Sequence, residues 1–376
     1  MSRLDDFLKE LNKKSKEQIL VKGITRKPFR AIPFSSPRMN YMLYGGLPRG
    51  RIIEFSGLEG GGKTTTALDI CGQAQELFQK EYEEAVQQLA EKPKDEKLKS
   101  IVARGPQKVV YADTEMTLDE EWARKLGVDI EDMYILQPQH KTAEQIFEII
   151  LNIFRDTECG LVVLDSVATL IPQGIYDEDM EKKAYCGIAQ SLTMFCNRLV
   201  PVIASTGSTI IVINQMRDDI NNPHNLYNTP GGKAFKHHCS VRLMFQKGSF
   251  IDEDGDELKR SAENPAGNLV MVNLLKTKVC KPDRRTGFYT LNYTYGIQKI
   301  PDLVDIAIKY GYIQQAGSWF RLIDMSTGEI MLDEKEEEIK IQGQTNLVAY
   351  LESNEILVDH LTTLITPHLT EMGHVK

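Results

Sequence analysis

A cluster of glycines followed by a lysine and a threonine is the strongest chemical signal in the sequence. The stretch "GLEGGGKTT" fits the spacing G-x-x-x-x-G-K-[ST], with Lys63 and Thr64 at its end. Glycines adopt positive φ and lack a Cβ, so successive N–H groups can converge on an anion. The lysine would reach the β- and γ-phosphates of a nucleotide, and the threonine would bind Mg²⁺. The predicted ligands are Gly57, Leu58, Glu59, Gly60, Gly61, Gly62, Lys63, Thr64 and Thr65.

A second set of polar residues ends three apolar runs. In "LVVLDS", Asp165 follows a predicted buried strand, where a carboxylate orients the water shell of Mg²⁺. In "VVYADTE", Asp113 and Glu115 are candidates to polarise the water that attacks a γ-phosphate. The run "IIVINQ" ends with Asn214 and Gln215, amides that can sense the γ-phosphate. Each also fits a solvated or capping group, but for Asp165 the nearby phosphate loop favours the metal role.

The elements that position these residues alternate between strand and helix patterns. A strand-like run precedes the phosphate loop, and a helix is predicted from 63 to 79. The runs 159–166 and 208–215 are nearly continuous in apolar residues, as expected for central parallel strands. We therefore predict an α/β fold with a doubly wound, mostly parallel sheet. The stretch 80–105 carries both signs of charge and predicts an exposed helical insertion.

Composition limits the classes of protein that the chain can represent. With 376 residues and 41% hydrophobic content, the chain can bury a substantial core. Its net charge is −8, so any contact with nucleic acid must use local basic surface. The six cysteines form no C-x-x-C pair, which argues against a zinc ribbon or a disulfide framework. An amphipathic, charged N-terminus and the lack of a membrane-length apolar run predict a cytosolic protein.

Several runs in a fixed order carry a family resemblance. They are "GLPRGRIIEFSGLEGGGKTT", "ADTEMTLDEEWARKLGVD", "LVVLDSVATLIP", "INQMR", "PGGKAFKHHCSVRL", "KTKVCKP" and "LVDIAIKYGYIQQAGSWF". Over these runs the sequence resembles the RecA-type DNA strand-exchange ATPases. The resemblance implies a RecA-like P-loop ATPase core over 31–298. It also implies an N-terminal helix and subunit-packing arm over 1–30, and a small α+β C-terminal domain over 299–376.

The resemblance also implies roles for residues around the nucleotide. Glu115 matches the catalytic glutamate, Asp165 the metal-binding aspartate, and Gln215 the glutamine that couples ATP to DNA binding. Lys276 and Lys278 match lysines that reach the ATP of the adjacent subunit. They lie two residues apart on a predicted strand, so their side chains should share a face.

Further positions match the base and DNA contacts of the family. Trp122 corresponds to an aromatic residue that stacks on adenine, and Asp119 to an aspartate near the adenine amino group. The segments 174–187 and 216–236 match its two DNA-binding loops. The second is polar and rich in glycine, as expected for a functional loop. The predicted DNA contacts are Gly187, Arg217, Gly231, Gly232, Lys233 and Lys236.

Together these features predict a DNA-dependent ATPase that uses ATP and Mg²⁺. It would form helical filaments on single-stranded DNA and pair them with homologous double-stranded DNA in recombination and repair. Expected partners include single-strand-binding and loader proteins, and no membrane. The alternatives are a RecA-fold hexameric helicase or other DNA motor, and a nucleotide sensor without hydrolysis. The insertion and the lack of an acidic tail indicate a divergent member such as a bacteriophage encodes, which would act in the host cytoplasm.

Overall fold

The computed structural model describes residues 3–15, 30–156, 158–176, 187–218, 227–259, 261–333 and 335–371. They fall into two compact units, Met1–Arg30 and Ala31–Lys376. The described part of the first unit is helix α1 (Arg3–Ser15), as its amphipathic pattern predicts. Its first turn is acidic and its last turn is basic, which complements the helix dipole.

The first half of the second unit alternates strands and helices. Its elements are β1 (Ala31–Ile32), α2 (Pro37–Met42), β2 (Leu47–Pro48), β3 (Ile52–Gly57), α3 (Lys63–Glu91), α4 (Glu96–Arg104), β4 (Lys108–Asp113), α5 (Glu120–Lys125), β5 (Met133–Leu136), α6 (Ala143–Asp156), β6 (Cys159–Asp165), α7 (Gln173–Tyr176), α8 (Ala189–Thr206) and β7 (Thr209–Gln215). A 3₁₀ turn, Val167–Thr169, follows β6.

The second half is richer in antiparallel strands. Its elements are β8 (Arg217–Asp218), β9 (Tyr227–Asn228), α9 (Gly232–His238), β10 (Val241–Ile251), β11 (Glu257–Leu258), β12 (Gly267–Thr277), β13 (Thr286–Asn292), β14 (Gly296–Gln298), α10 (Lys299–Lys309), β15 (Ile313–Ala316), β16 (Trp319–Leu322), β17 (Lys340–Gln342), α11 (Gln344–Glu352) and α12 (Glu355–Thr370).

One large sheet organises the second unit. Within the described residues it contains ten strands in the order β14-β13-β12-β10-β3-β7-β6-β4-β5, with β11 paired to β10. Six neighbouring strands run parallel to one another, namely β10, β3, β7, β6, β4 and β5. The other four, β11, β12, β13 and β14, run antiparallel to the strands with which they pair. Strands β3 and β6 are buried along their whole length, which explains why β6 is apolar up to Asp165, while β3 buries the polar side chains of Glu54 and Ser56. The predicted mostly parallel α/β sheet is confirmed.

Hydrophobic clusters lie on both faces of this sheet, and a third lies in the C-terminal part. The first cluster includes Phe55 and Tyr111, and the second includes the stacked rings of Phe147 and Phe195. The third joins helices α10 to α12 to the small sheet β15-β16-β17. This separate cluster agrees with a small C-terminal α+β domain, whose limits at 299–376 stay a prediction.

The helix after the phosphate loop is longer than predicted. It runs from Lys63 to Glu91 instead of ending near residue 79. No glycine or proline interrupts residues 74–92, so nothing in the chain stops the helix before Pro93. Helix α4 then begins at the cap residue Asp95, whose side chain accepts hydrogen bonds from two backbone N–H groups. The stretch 80–105 is therefore helical and largely exposed, as predicted.

Candidate nucleotide and DNA sites

The predicted site residues meet at the carboxyl edge of the parallel sheet. Strand β3 places Gly57 opposite Gln215 of β7, and β4 places Asp113 opposite Asp165 of β6. In open α/β sheets this edge is where ligands bind. Four strand ends distant in sequence are thus brought to one place.

The phosphate loop has the backbone that its glycines predict. Gly60 and Gly62 have φ values of 67° and 93°, and Gly62 caps the N-terminus of α3. A Cβ on Gly57 would lie 2.4 Å from the carbonyl oxygen of Phe245, so only glycine fits there. The loop therefore presents its N–H groups and the positive end of the α3 dipole to one space.

Lys63 lies within this loop and is bonded to it. Its Nζ donates hydrogen bonds to the carbonyl oxygens of Gly57 at 3.1 Å and Leu58 at 2.7 Å. Burial lowers the pKa of Lys63, while the negative charges of Asp165 and Glu115 oppose that shift. The ammonium thus lies among opposite charges at the loop.

Thr64 and Asp165 place two oxygen atoms beside the loop that could act as metal ligands. Thr64 Oγ1 donates to Asp165 Oδ2 at 2.9 Å, and Tyr111 donates from its hydroxyl to the same oxygen at 2.7 Å. Burial raises the pKa of Asp165, and these two hydrogen bonds oppose the shift. Mg²⁺ prefers oxygen ligands and one or two carboxylates, so this donor set fits it. Tyr111 was not predicted; its position in an apolar strand gave no signal.

Glu115 is oriented by two donors. Ser166 Oγ donates to Glu115 Oε1 at 2.6 Å, and Gln215 Nε2 donates to the same oxygen at 3.1 Å. Ser166 follows β6 and Gln215 ends β7, so groups from two strands hold one carboxylate. Ser166 was missed from the sequence because a serine after a strand-ending aspartate is also an ordinary helix cap.

Asp113, the other candidate base, has a different environment. Its carboxylate accepts hydrogen bonds from the backbone N–H groups of Thr117 at 3.2 Å and Leu118 at 3.1 Å. The side chain is buried and stabilises the turn after β4. The arrangement favours Glu115 over Asp113 as the group that faces the phosphate loop.

A cavity of about 370 Å³ opens at the phosphate loop. Trp122 lines it, as the predicted adenine contact requires, together with Lys247, Asn268 and Tyr293 from the antiparallel strands and the turn after them. The Tyr293 hydroxyl donates to Asn268 Oδ1 at 2.7 Å. Asp119 caps α5 by accepting a hydrogen bond from Trp122 N at 3.0 Å, and its adenine role stays a prediction. Leu291 also lines the cavity, and none of these four additional residues carries a local motif that could have predicted it.

Lys276 and Lys278 lie at the end of α9. Lys276 Nζ donates to the carbonyl oxygens of Lys236 at 2.6 Å and His237 at 2.9 Å, and Lys278 Nζ donates to His237 O at 2.5 Å. Two cations therefore meet the negative end of the helix dipole. Burial, with the neighbouring charge of Lys278, lowers the pKa of Lys276. Strand β12 ends at Thr277, so Lys278 lies just beyond it, although both side chains reach the same carbonyl.

Parts of the predicted DNA loops lie outside the described residues, namely 177–186 and 219–226. At the end of the second loop, Gly231 caps α9 with φ 98°, and Gly232 follows with φ 73°. Lys233 is exposed in the first turn of α9. Arg217 pairs through its backbone with Asn228 in a short two-stranded sheet. Gly187 has open space where a Cβ would lie.

Two kinds of feature are absent from the described residues. No helix among them is long and apolar enough to cross a membrane. The same part of the chain contains no cluster of three or more histidine, cysteine or acidic residues arranged as a metal site. A magnesium ion would thus depend on the hydroxyl and carboxylate of Thr64 and Asp165, with water and phosphate oxygens as further ligands.

Comparison with known proteins gives consistent matches over most of the chain. The family described as the RecA N-terminal domain matches residues 97–298. Protein RecA of Petrotoga mobilis is 31% identical over 363 residues, covering 95% of this chain and 86% of the relative. Protein RecA of Chlorobium chlorochromatii is 32% identical, covering 90% and 85%. Protein RecA of Thermus thermophilus is 31% identical, covering 87% and 86%.

Proposed function

The chain belongs to the RecA family, and we propose that it is a DNA-dependent ATPase that assembles on single-stranded DNA and exchanges it with a homologous duplex. The observation that carries this proposal is the grouping of Lys63, Thr64, Asp165, Glu115 and Gln215 at one sheet edge. These groups supply a phosphate site, a metal site, a base and a sensor. ATP hydrolysis coupled to DNA binding uses all four groups, and membership of the RecA family, whose proteins serve DNA recombination and repair, favours strand exchange as the reaction that this hydrolysis supports.

Each residue has a step in the proposed hydrolysis of ATP. The phosphate-loop N–H groups and Lys63 would hold the phosphates, while Thr64 and Asp165 would hold Mg²⁺. When bound there, the ion would supply positive charge that offsets the charge of the phosphates. Glu115 accepts a proton from the attacking water, in the orientation that Ser166 and Gln215 give it. Positioning and charge stabilisation account for most of the rate in this class of reaction.

The link to DNA follows from the order of the chain. Gln215 contacts Glu115, and the next residue, Met216, begins the second predicted DNA loop. Met216 N donates to the carbonyl oxygen of Gly57 at 3.2 Å, so the loop starts at the phosphate loop itself. A γ-phosphate that draws Gln215 toward it would therefore move the start of this loop.

Self-association on DNA is part of the proposal. Lys276 and Lys278 would complete the ATP site of an adjacent subunit in a helical filament, and both single- and double-stranded DNA would be substrates. Single-strand-binding proteins and loaders are proposed partners. A hexameric helicase of the same fold is the second candidate, because its phosphate and metal residues would be alike.

Electron microscopy distinguishes the two. The chain is mixed with single-stranded DNA and a slowly hydrolysed ATP analogue, with Lys63→Ala as the control that cannot engage the γ-phosphate. Helical filaments that require the analogue support the recombinase. Closed rings would instead support the helicase, and a protein that binds neither DNA nor nucleotide would contradict both. Strand exchange between a circular single strand and a homologous linear duplex then tests the reaction itself.

A further inference from the structure

A buried polar network lies behind the nucleotide edge and is not needed for phosphate or metal binding. Asn214, fully buried, donates from Nδ2 to Glu54 Oε1 at 3.0 Å and to the carbonyl oxygen of Pro230 at 2.9 Å. The other oxygen of Glu54 accepts a hydrogen bond from Arg242 Nε. The network thus runs from β10 through β3 and β7 to the residue that precedes the cap of α9.

The charged members of this network are in an unfavourable place for charge. Glu54 is 0% exposed in the middle of a parallel sheet, where an apolar side chain would avoid the cost of desolvation. Its carboxylate uses one oxygen for Arg242 and the other for Asn214. Buried ion pairs add little to stability, and their best-supported use is to fix one arrangement of the chain. What is fixed here is the amide of Asn214.

That amide has one orientation that the contacts allow. Both partners of Nδ2 are oxygen acceptors, so the flipped amide would place its oxygen against a carboxylate and a carbonyl. Asn214 therefore acts only as a donor toward Pro230. Among the described residues, Asn214 Oδ1 has no hydrogen-bond partner. The hydrogen bonds of this side chain are therefore the two that Nδ2 donates.

Asn214 also precedes Gln215 on β7. Adjacent residues of a strand point to opposite faces of the sheet, so one side chain faces the nucleotide residues and the other faces the approach to α9. Gln215 contacts Glu115, and Asn214 contacts Pro230. Any displacement of this strand end is therefore shared between the ATP site and the end of the second loop.

The region held by Pro230 has little room to move by itself. Gly231 has φ 98°, and a Cβ there would lie 2.7 Å from Leu192 Cδ2. The loop end is thus packed closely against α8. At the far end of α9, Lys276 bonds to Lys236 O and His237 O, and Lys276 lies opposite Arg242 across β10 and β12.

We propose that Asn214, oriented by the buried pair of Glu54 and Arg242, is the positioning residue that couples the nucleotide site to the C-terminal end of the second DNA loop. This inference rests on the proposed function. Gln215 conveys the nucleotide state to the start of that loop, and Asn214 conveys it to the end. The loop would then be held from both of its ends.

The test measures how strongly a nucleotide changes DNA affinity. The dissociation constant for an oligo(dT) strand is measured with and without an ATP analogue, and the ratio of the two is the coupling. Asn214→Ala should reduce this ratio about tenfold, which is the loss of about 1.4 kcal/mol. Affinity for the analogue in the absence of DNA should stay within about twofold. The side chain of Asn214 donates to Glu54 and Pro230 and is not the γ-phosphate sensor that the sequence suggested, a role that Gln215 keeps through its contact with Glu115. The matched control is Asn273→Ala, an amide on β12 whose Nδ2 donates to Gln246 Oε1 at 3.3 Å, away from the nucleotide edge.

A second variant separates the hydrogen bond from general damage. Asn214→Asp keeps the volume but replaces the donor with a carboxylate that faces Glu54. Its coupling should be low at pH 8 and recover toward the wild-type ratio at pH 6, where a proton restores a donor. A loss caused by poor packing would not respond to acid in this way.

The outcomes distinguish the inference from the function on which it rests. If Asn214→Ala keeps the wild-type ratio of DNA dissociation constants, the inference is overturned. If the alanine variant does not fold, full coupling in Asn214→Asp at pH 8 overturns it instead. An aspartate variant without recovery at pH 6 overturns the hydrogen-bond assignment. If the wild-type chain itself shows no effect of nucleotide on DNA affinity, the proposed function fails first.

Discussion

Gln215, the last residue of β7, and Glu115, two residues after the end of β4, are joined by a hydrogen bond of 3.1 Å, although β6 lies between β7 and β4 in the sheet. The residue that follows β6, Ser166, donates to the same carboxylate oxygen. The predicted base is therefore oriented from two strands at once. Such orientation by fixed donors is what a catalytic carboxylate requires, and the effects of its removal can be measured.

Glu115→Gln should slow ATP hydrolysis about 10² to 10⁴-fold, since the group that accepts the proton is lost while its size is kept. DNA binding with ATP should be retained or tighter, because the nucleotide stays intact. The measurement is steady-state ATPase with and without single-stranded DNA. Asp113→Asn is the control. Its turn loses a charged hydrogen-bond acceptor, so its melting temperature should fall while its ATPase rate stays near that of the wild type. Normal hydrolysis in Glu115→Gln would show that another group is the base.

Lys63→Ala should abolish hydrolysis by removing the main cation that faces the γ-phosphate, a loss of at least about 10²-fold. The fold should persist, because within the described residues Lys63 Nζ donates to the carbonyl oxygens of Gly57 and Leu58 in the phosphate loop and to no element of the core. Thermal melting followed by circular dichroism checks the fold, and phosphate release checks the activity. Wild-type rates in this variant would contradict the assignment of the loop.

Lys233→Ala should weaken binding to single-stranded DNA and flatten its salt dependence. One lost phosphate contact lowers the slope of log K against log salt by about 0.7. The matched control is Lys97→Ala, an exposed lysine on α4 outside the predicted DNA loops. Equal slopes for the two variants would place DNA elsewhere. Lys233 is a cleaner test than Gly232→Val, since Gly232 has φ 73° and a Cβ would lie 3.3 Å from that of Ala189.

Mixing two inactive variants tests the shared site. Lys276→Ala/Lys278→Ala keeps an intact phosphate loop, and Lys63→Ala keeps the two lysines. In a filament assembled at random from equal amounts, roughly a quarter of interfaces would be complete. We expect the mixture to recover DNA-dependent ATPase, measured against each variant alone. If the two variants assemble together on DNA and the mixture stays inactive, the lysines serve only to bind the end of α9.

Asp302 should make stability fall as the pH rises. Burial raises its pKa to about 7, against the opposing effects of Arg38 and of a hydrogen bond from Ser36. Between about pH 4 and pH 7 the folded chain holds a proton that the unfolded chain has lost, so the added stability disappears through this window. From pH 5 to pH 8 the melting temperature of the wild type should drop by about 2 °C or more beyond that of Asp302→Asn. Asp69, with a pKa raised by burial to about 6, acts in the same direction in both proteins. Equal falls in melting temperature in the wild type and in Asp302→Asn would contradict a proton held by buried Asp302.

The parallel sheet and the phosphate loop could be predicted because they depend on local patterns. A run such as 159–166 is nearly continuous in apolar residues since both faces of its strand are covered, and Gly62 is glycine since its φ is 93°. The contacts of Asn268, Tyr293 and Ser166 could not be predicted. They depend on which strands lie side by side, and the crossover from β7 to β10 is not encoded in any short motif.

The same limit applies to the two lysines at the end of β12, Lys276 and Lys278. Their shared direction follows from the period of a strand, but their bonds to the end of α9 depend on where that helix ends in space. The helix after the phosphate loop was predicted too short for a different reason. A change from apolar to charged residues marks where a helix becomes exposed, and only the proline at residue 93 marks where it must stop.

The carbonyl oxygen of Gly57 accepts hydrogen bonds both from Lys63 Nζ at 3.1 Å and from Met216 N at 3.2 Å. An incoming nucleotide must draw the ammonium away from this oxygen and from that of Leu58, and hydrogen bonds to charged groups contribute about 1.5–3 kcal/mol each. The loop therefore competes with its own ligand. We expect this competition to shorten the residence time of a bound nucleotide, most of all for the diphosphate, which has no γ-phosphate to hold the lysine. The resting arrangement of the loop would then favour exchange of the spent nucleotide.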